Sequence, residues 1–257
     1  MLVEDGQWIM QGIDWEDPDC IHSAKELEEY VEQVGFLPLF SNGVKGFSVE
    51  EWTESSYWWS GVSDVDPWAW REIIARNKKV AYGKFFDKKA GFISLKWLPY
   101  FVNVRRSGYD FDAAWDDGKV EYREKKIMDF YMDEDEDGEI IWRDVDLIST
   151  DLKKAAGFGK GKEKNYPGVM TNLQMKMYLV ISDFRRRKNK KGSEYGMPVS
   201  IPLPPEKIWG YDMVTSAYSE PVGKSWHRIY DHIKKSYVNA SDEDIIKIIG
   251  KEPLGDL

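Results

Sequence analysis

The sequence predicts an α+β fold in which helices are joined by a few short strands and a helical C-terminal tail closes the chain. Three observations predict it. Apolar residues recur at helical spacing behind capping signals in several separate stretches. Short apolar runs bounded by glycine or proline lie between them, as strands do. A chain of 257 residues, 42% hydrophobic and 14% aromatic, has the side chains for one large core or two small ones and is not disordered.

Residues 1–22 show no period and read as an irregular extension. Ser23-Ala-Lys-Glu26 is a capping box, and Leu27, Tyr30, Val31 and Val34 follow at helical spacing before Gly35 stops the helix. Phe36 to Phe40 reads as a strand or extended link. Asp66-Pro67 starts a second helix, with Trp70, Ile73 and Ile74 facing inward. Residues 80–101 mix apolar and basic residues, 105–118 are loop-like, and a helix over 119–131 would bury Ile127, Phe130 and Tyr131. An acidic linker at 133–139 then separates an N-terminal lobe, 23–132, from a domain spanning 140–212.

That domain has a recognisable order. Ser149-Thr150 caps a short helix to Ala156, and a glycine-rich basic loop follows. Leu173, Met177, Val180 and Phe184 predict a second helix over 170–184. Arg185 to Lys188 leads to a turn at Asn189–Gly192, and Tyr195 to Leu203 returns as a strand ended by Pro204-Pro205. Helix, loop, helix, hairpin is the order of a winged helix-turn-helix module, and a second such module is expected in tandem ahead of it. The tail, 213–257, adds helices over 223–236 and 241–249.

Composition narrows the function. The longest apolar run, Met177–Ile181, is far short of the roughly 20 residues of a membrane span, and no signal segment opens the chain, so a soluble, cytoplasmic protein is expected. One cysteine, Cys20, and three histidines (His22, His227, His232) exclude a disulfide framework and leave little for a metal centre. The glycine run at 157–161 lacks the spacing of a phosphate-binding Walker loop, and no cofactor is expected. Asp133 to Asp144 carries oxygen-ligand spacing like that of a calcium loop, with Asp144 in place of the closing glutamate; it reads as a solvated linker, with calcium as the alternative.

Charge is the strongest clue. The net charge is −9, yet Lys153–Lys191 holds twelve basic and two acidic residues, a net of +10 that leaves −19 on the remainder. A basic face on an acidic body suits a polyanion, and double-stranded DNA is the expected partner. Lys153, Lys154, Lys160, Lys162 and Lys164, with the wing Arg185, Arg186, Arg187, Lys188, Lys190 and Lys191, would meet phosphates. Asn172 and Gln174, with Thr171 and Tyr178, are the candidate readers of base edges. Trp58, Trp59, Trp68 and Trp70 could stack an extruded base or fill the core. Asp110, Asp112, Asp116 and Asp117 are the candidate catalytic residues, since carboxylates among aromatics can do acid–base work; they could equally cap turns and pair with Arg105 and Arg106.

Residues 25–210 also resemble a known family. Leu27–Ser41 is similar to a helix followed by a Leu-Gly-x-x-Gln-x-Asp/Gln strand, and Tyr57-Trp-Trp-Ser60 with Asp66-Pro67 to a Leu-Trp-Ser-Arg…Asp-Pro stretch. Tyr82–Pro99 and Pro198–Glu206 resemble a proline-rich segment and a wing with its return strand. In this order they are the motifs of the AlkZ/YcaQ winged-helix DNA glycosylases, which cleave N-glycosidic bonds of alkylated bases. The resemblance implies a winged-helix fold, DNA binding and a repair role. The catalytic motif of the family is not retained: its Gln and Asp/Gln fall at Pro38 and Phe40, and its histidine near Lys88. The expected function is therefore that of a DNA-binding relative of these glycosylases, with base release by the aspartates if it is active. A non-catalytic DNA-binding or regulatory protein is the alternative, and a protein whose basic face meets an acidic partner is a third.

Overall fold

The computed structural model describes residues 2–4, 7–136 and 140–253. With 41% of the chain helical, 18% in strands and every named strand pair antiparallel, the fold is α+β. None of the described helices is long and apolar enough to cross a membrane.

The N-terminal stretch is not wholly irregular, because β1 (Leu2–Glu4) and β2 (Gln7–Ile9) pair as a small hairpin. Helix α1 (Ala24–Val34) begins where the Ser23 hydroxyl accepts from the Glu26 amide (3.2 Å). The Glu26 carboxylate reaches back to the His22 amide (2.8 Å), one residue beyond the usual capping box, and Gly35 ends the helix at φ 91°. The apolar face of α1 then lies on β3 (Phe36–Pro38), with Leu27, Val31, Phe36 and Leu37 fully enclosed. Helix α2 (Pro67–Asn77) is capped by Asp66, whose carboxylate accepts from the amides of Trp68, Trp59 and Gly61. Strands β4 (Val80–Phe86) and β5 (Lys89–Ser94) join β3 in the order β3-β5-β4. Their connection, Asp87-Lys88, has positive φ at both residues (47° and 63°), the turn shape that fits the twist of a two-residue hairpin.

The 105–118 region is more helical than its composition suggests: α3 (Leu98–Arg106) runs into it and α4 (Phe111–Asp116) occupies half of the rest. The helix expected over 119–131 contracts to α5 (Tyr122–Met128), burying Ile127 and Tyr131 fully but Phe130 only in part. The acidic segment enters a hairpin of β6 (Met132–Glu134) and β7 (Ile140–Trp142); residues 137–139 of the expected linker lie outside the described residues.

Helices α6 (Ser149–Ala155) and α7 (Tyr166–Met175) precede a long hairpin of β8 (Val180–Lys188) and β9 (Glu194–Leu203). The helix expected over 170–184 is thus two elements. Pro167 sets the first turn of α7 four residues earlier, Met177 at φ 62° breaks the helix, and the β-branched Val180-Ile181 continue as strand. Leu173, Met177, Val180 and Phe184 are all buried as their spacing predicted, but the last two alternate inward along a strand. Short helices α8 (Pro205–Trp209) and α9 (Tyr211–Val214) lead to the tail helices α10 (Val222–Ser236) and α11 (Asp242–Ile249), the latter capped by Ser241.

Buried side chains form two hydrophobic clusters. One joins α1, the three-stranded sheet, α2, α3, α10 and α11 with Val180 and Phe184 of β8. The other takes Ile127 and Tyr131 before the acidic segment and Leu152, Leu173 and Leu179 after it. The α7–β8 connection lies across both, and Arg106 fastens it: its guanidinium pairs with buried Glu206 and donates to the Met177 carbonyl (2.7 Å). Burying each such apolar side chain contributes about 1.5–3 kcal/mol, so the hairpin base is anchored on both sides.

Candidate nucleic-acid interface

The β8–β9 hairpin carries its cations outward. Residues 185–191 are all exposed. Arg185 pairs with Asp146, Arg186 donates to the Gly196 carbonyl (3.0 Å), and Arg187 lies 5.5 Å from the Tyr195 ring. Lys188, Lys190 and Lys191 pair with no carboxylate among the described residues. Asn189 shapes the turn, its side-chain oxygen accepting from the amides of Lys191 (2.9 Å) and Ser193 (3.1 Å). The acid inside this run, Asp183, points back to α2, where Arg76 holds it at 2.8 Å. Tyr195 and Met197 stand exposed among the cations.

The other basic positions divide. Lys160, Lys162 and Lys164 lie exposed on the 157–165 loop, whereas Lys154 is engaged by Asp151 (3.1 Å). Of the base-edge candidates, Asn172 is exposed on α7. Gln174 is buried and used internally, accepting from the Lys84 amide (3.0 Å) and donating to the Met170 carbonyl (2.9 Å). Tyr178 is enclosed beneath Arg106, with its hydroxyl donating to the Tyr109 carbonyl (3.2 Å), and offers nothing to a groove.

At the base of the hairpin, α2, the β4–β5 hairpin, α6 and α7 enclose a cleft of about 610 Å³. Phe40, Trp68, Tyr82 and Phe184 give it aromatic walls. Arg71, Lys84, Lys88, Lys89 and Lys153 line it, and among the described residues no Asp, Glu or His does. Arg71 is the unusual member. It is 6% exposed, and its guanidinium lies 3.8 Å from the Trp68 ring centroid and 4.4 Å from that of Phe184. It meets Glu72 at 3.2 Å while its Nε–H has no partner. Burial pushes the Glu72 carboxyl up, against the pull of Arg71. Lys84 reaches the Thr171 hydroxyl (3.3 Å), and the turn that carries Lys88 is held by its amide against the Met175 sulfur (3.2 Å).

The sequence points to Lys153 and Trp68 but not to Arg71, Lys84 or Lys89, and to Lys88 only through the family likeness. The signal in the sequence is the clustering of Lys84, Lys88 and Lys89 around Phe85-Phe86 and the three-residue spacing of Trp68 and Arg71 on one helix.

The four tryptophans separate. Trp68 lines the cleft and Trp59, 42% exposed, stands 6.1 Å from it. Trp58 is buried beside Phe40, its indole donating to the Thr53 hydroxyl (3.0 Å). Trp70 is wholly enclosed and bound to the Asp64 carbonyl (3.1 Å), so it is core and has no face to stack on. Pro38 is enclosed in β3, and Phe40 places a ring where the family likeness puts a polar side chain.

The aspartates lie elsewhere. Asp110 and Asp112 line a second cavity of about 550 Å³ with Arg106, Glu206 and Tyr211. Asp116 joins Asp112 in an adjoining depression, and Asp117 is exposed at the end of α4. None of the four shares a cavity with Trp68. Asp110 accepts from the Tyr211 hydroxyl (2.7 Å), which pushes that phenol up to about 12. Arg105 and Arg106 turn inward instead, to the Phe85 carbonyl and to Glu206.

The histidines are structural: His22 bonds the Trp15 carbonyl, His232 that of Val34, and His227 meets Glu252. Among the described residues no group of His, Cys, Asp or Glu is placed to hold a metal. In the calcium-like stretch, Asp133 pairs with Arg143 and Asp144 with Lys207, and Asp137 to Glu139 lie outside the described residues.

These features define an α+β protein with a cationic hairpin above a cationic, aromatic cleft. The protein-family model described as AlkZ related matches residues 21–250, nearly the whole chain, and the chain belongs to the AlkZ-related family. Neither a curated protein nor a solved structure matches it significantly.

Proposed function

We propose that this protein binds double-stranded DNA and that α6, α7 and the β8–β9 hairpin act as a winged helix-turn-helix, with the hairpin as the wing along phosphates. On this reading it is a DNA-repair-type relative of winged-helix glycosylases that recognises DNA without excising a base. The observation that carries it is the cleft, which sets five cations and five aromatic side chains against the hairpin base, with no carboxylate or imidazole among the described residues of its lining. Hydrolysis of an N-glycosidic bond is served by a group that takes a proton from the attacking water, and the lining holds no carboxylate or imidazole among the described residues for that role. Binding a polyanion needs what is there.

Anisotropy titration of a labelled duplex against salt tests it. Affinity should fall with a log–log slope of about −0.9 per phosphate neutralised. Incubation with alkylated DNA should release no free base. Binding to an acidic protein with no affinity for duplex would overturn this function.

A further inference from the structure

We propose that the cleft is a receptor site for a single nucleoside monophosphate, with the base against Trp68 and Phe184 and the phosphate on Lys84 and Lys88. The inference concerns the cleft alone and does not depend on duplex binding by the hairpin.

Its chemistry selects the ligand by two independent features. Lys84 and Lys88 are exposed and pair with no carboxylate among the described residues, so they retain their full attraction for a dianion. The first turn of α7 is beside them, with Tyr166 and Pro167 in the cleft wall, and it adds the positive end of a ten-residue helix. The second feature is aromatic and apolar. Trp68, Tyr82 and Phe184 form the wall together with Arg71, which is 6% exposed and stacked on two of these rings. The unpartnered Nε–H of Arg71 leaves this wall short of one hydrogen-bond acceptor. A small inorganic anion would use the lysines and leave the rings wet; an uncharged aromatic would do the reverse. A planar heterocycle joined to a phosphate satisfies both, and about 610 Å³ is within the range of small-ligand sites.

Calorimetric titration of the full chain with dAMP, dGMP, dCMP and dTMP tests the site, with the matching nucleosides and inorganic phosphate as controls. At least one monophosphate should bind, and its nucleoside and inorganic phosphate should each bind about tenfold more weakly or worse. Lys84→Ala with Lys88→Ala changes two exposed side chains and should weaken the monophosphate about tenfold. Arg186→Ala with Arg187→Ala should leave monophosphate binding unchanged. A 5′-phosphorylated dinucleotide that competes with the free monophosphate would assign the natural ligand to a strand end, and failure to compete would assign it to the free nucleotide. No monophosphate binding, equal binding of inorganic phosphate, or no effect of the double lysine change overturns the inference. A chain that binds the monophosphate but no duplex keeps this site and loses the function proposed above; one that binds duplex but no monophosphate does the opposite.

Discussion

The guanidinium of Arg71 lies 3.8 Å from the Trp68 ring, one turn apart on the same helix, and the pair forms a wall of the cleft rather than a surface contact. Phe184, from the hairpin, stands 4.4 Å from the same guanidinium, so one side chain links α2 to β8. Desolvated cation–π contacts of this kind contribute about 2 kcal/mol. Arg71→Ala should therefore cost about 2–3 kcal/mol in urea unfolding, and Arg71→Lys should recover less than half, because an ammonium cannot stack as a plane. Unchanged unfolding midpoints would show that the contact adds nothing to stability.

The hairpin cations act through phosphates. Arg186→Ala with Arg187→Ala should lower duplex affinity about equally for unrelated sequences and flatten the salt slope by about 1.8. A loss confined to one sequence would instead place these arginines at base edges.

Asp66 satisfies three amides with one carboxylate, from Trp68, Trp59 and Gly61, and is itself buried. Asp66→Ala should thus exceed an ordinary cap loss and cost about 2–4 kcal/mol, with Asp66→Asn recovering part. It should also alter tryptophan fluorescence, since the Trp59 loop loses its tether. Thermal unfolding and emission spectra check both.

Buried Arg106 and Glu206 compensate one another at the α3–α8 contact. Glu206→Ala should cost about 3–5 kcal/mol by leaving the arginine enclosed and uncompensated. A denaturation curve close to that of the parent would contradict this.

Tyr211 supplies a pH signature. Its hydrogen bond to Asp110 comes first, and burial and the charge of Asp110 add to it, raising the phenol to about 12. Because the folded state holds this proton more tightly than the unfolded chain, the contribution is full below pH of about 10 and is lost as pH rises through about 12. Asp110→Asn should return the Tyr211 resonance toward the ordinary range in a tyrosine NMR titration.

Local chemistry, written in neighbouring residues, made much of this protein readable from its sequence. Ser23 and Glu26 mark α1, Asp66-Pro67 marks α2, Ser241 marks α11, and Asn189 to Gly192 turns the hairpin, because caps and tight turns are decided by side chains acting over three or four residues. The clustering of positive charge between 153 and 191 needed no coordinates either. Tertiary packing decided the rest. The 173–184 periodicity fits a helix until Met177 reverses its φ, and the residues around the break then divide between the two hydrophobic clusters. Trp68 and the aspartates Asp110 and Asp112, all candidates for one site from the sequence, line different cavities. Arg71, Lys84 and Lys153, distant in sequence, meet in one cleft because β4, α2 and α6 converge on the hairpin base. Convergence of that kind depends on how buried surfaces fit together, which no short window of sequence encodes.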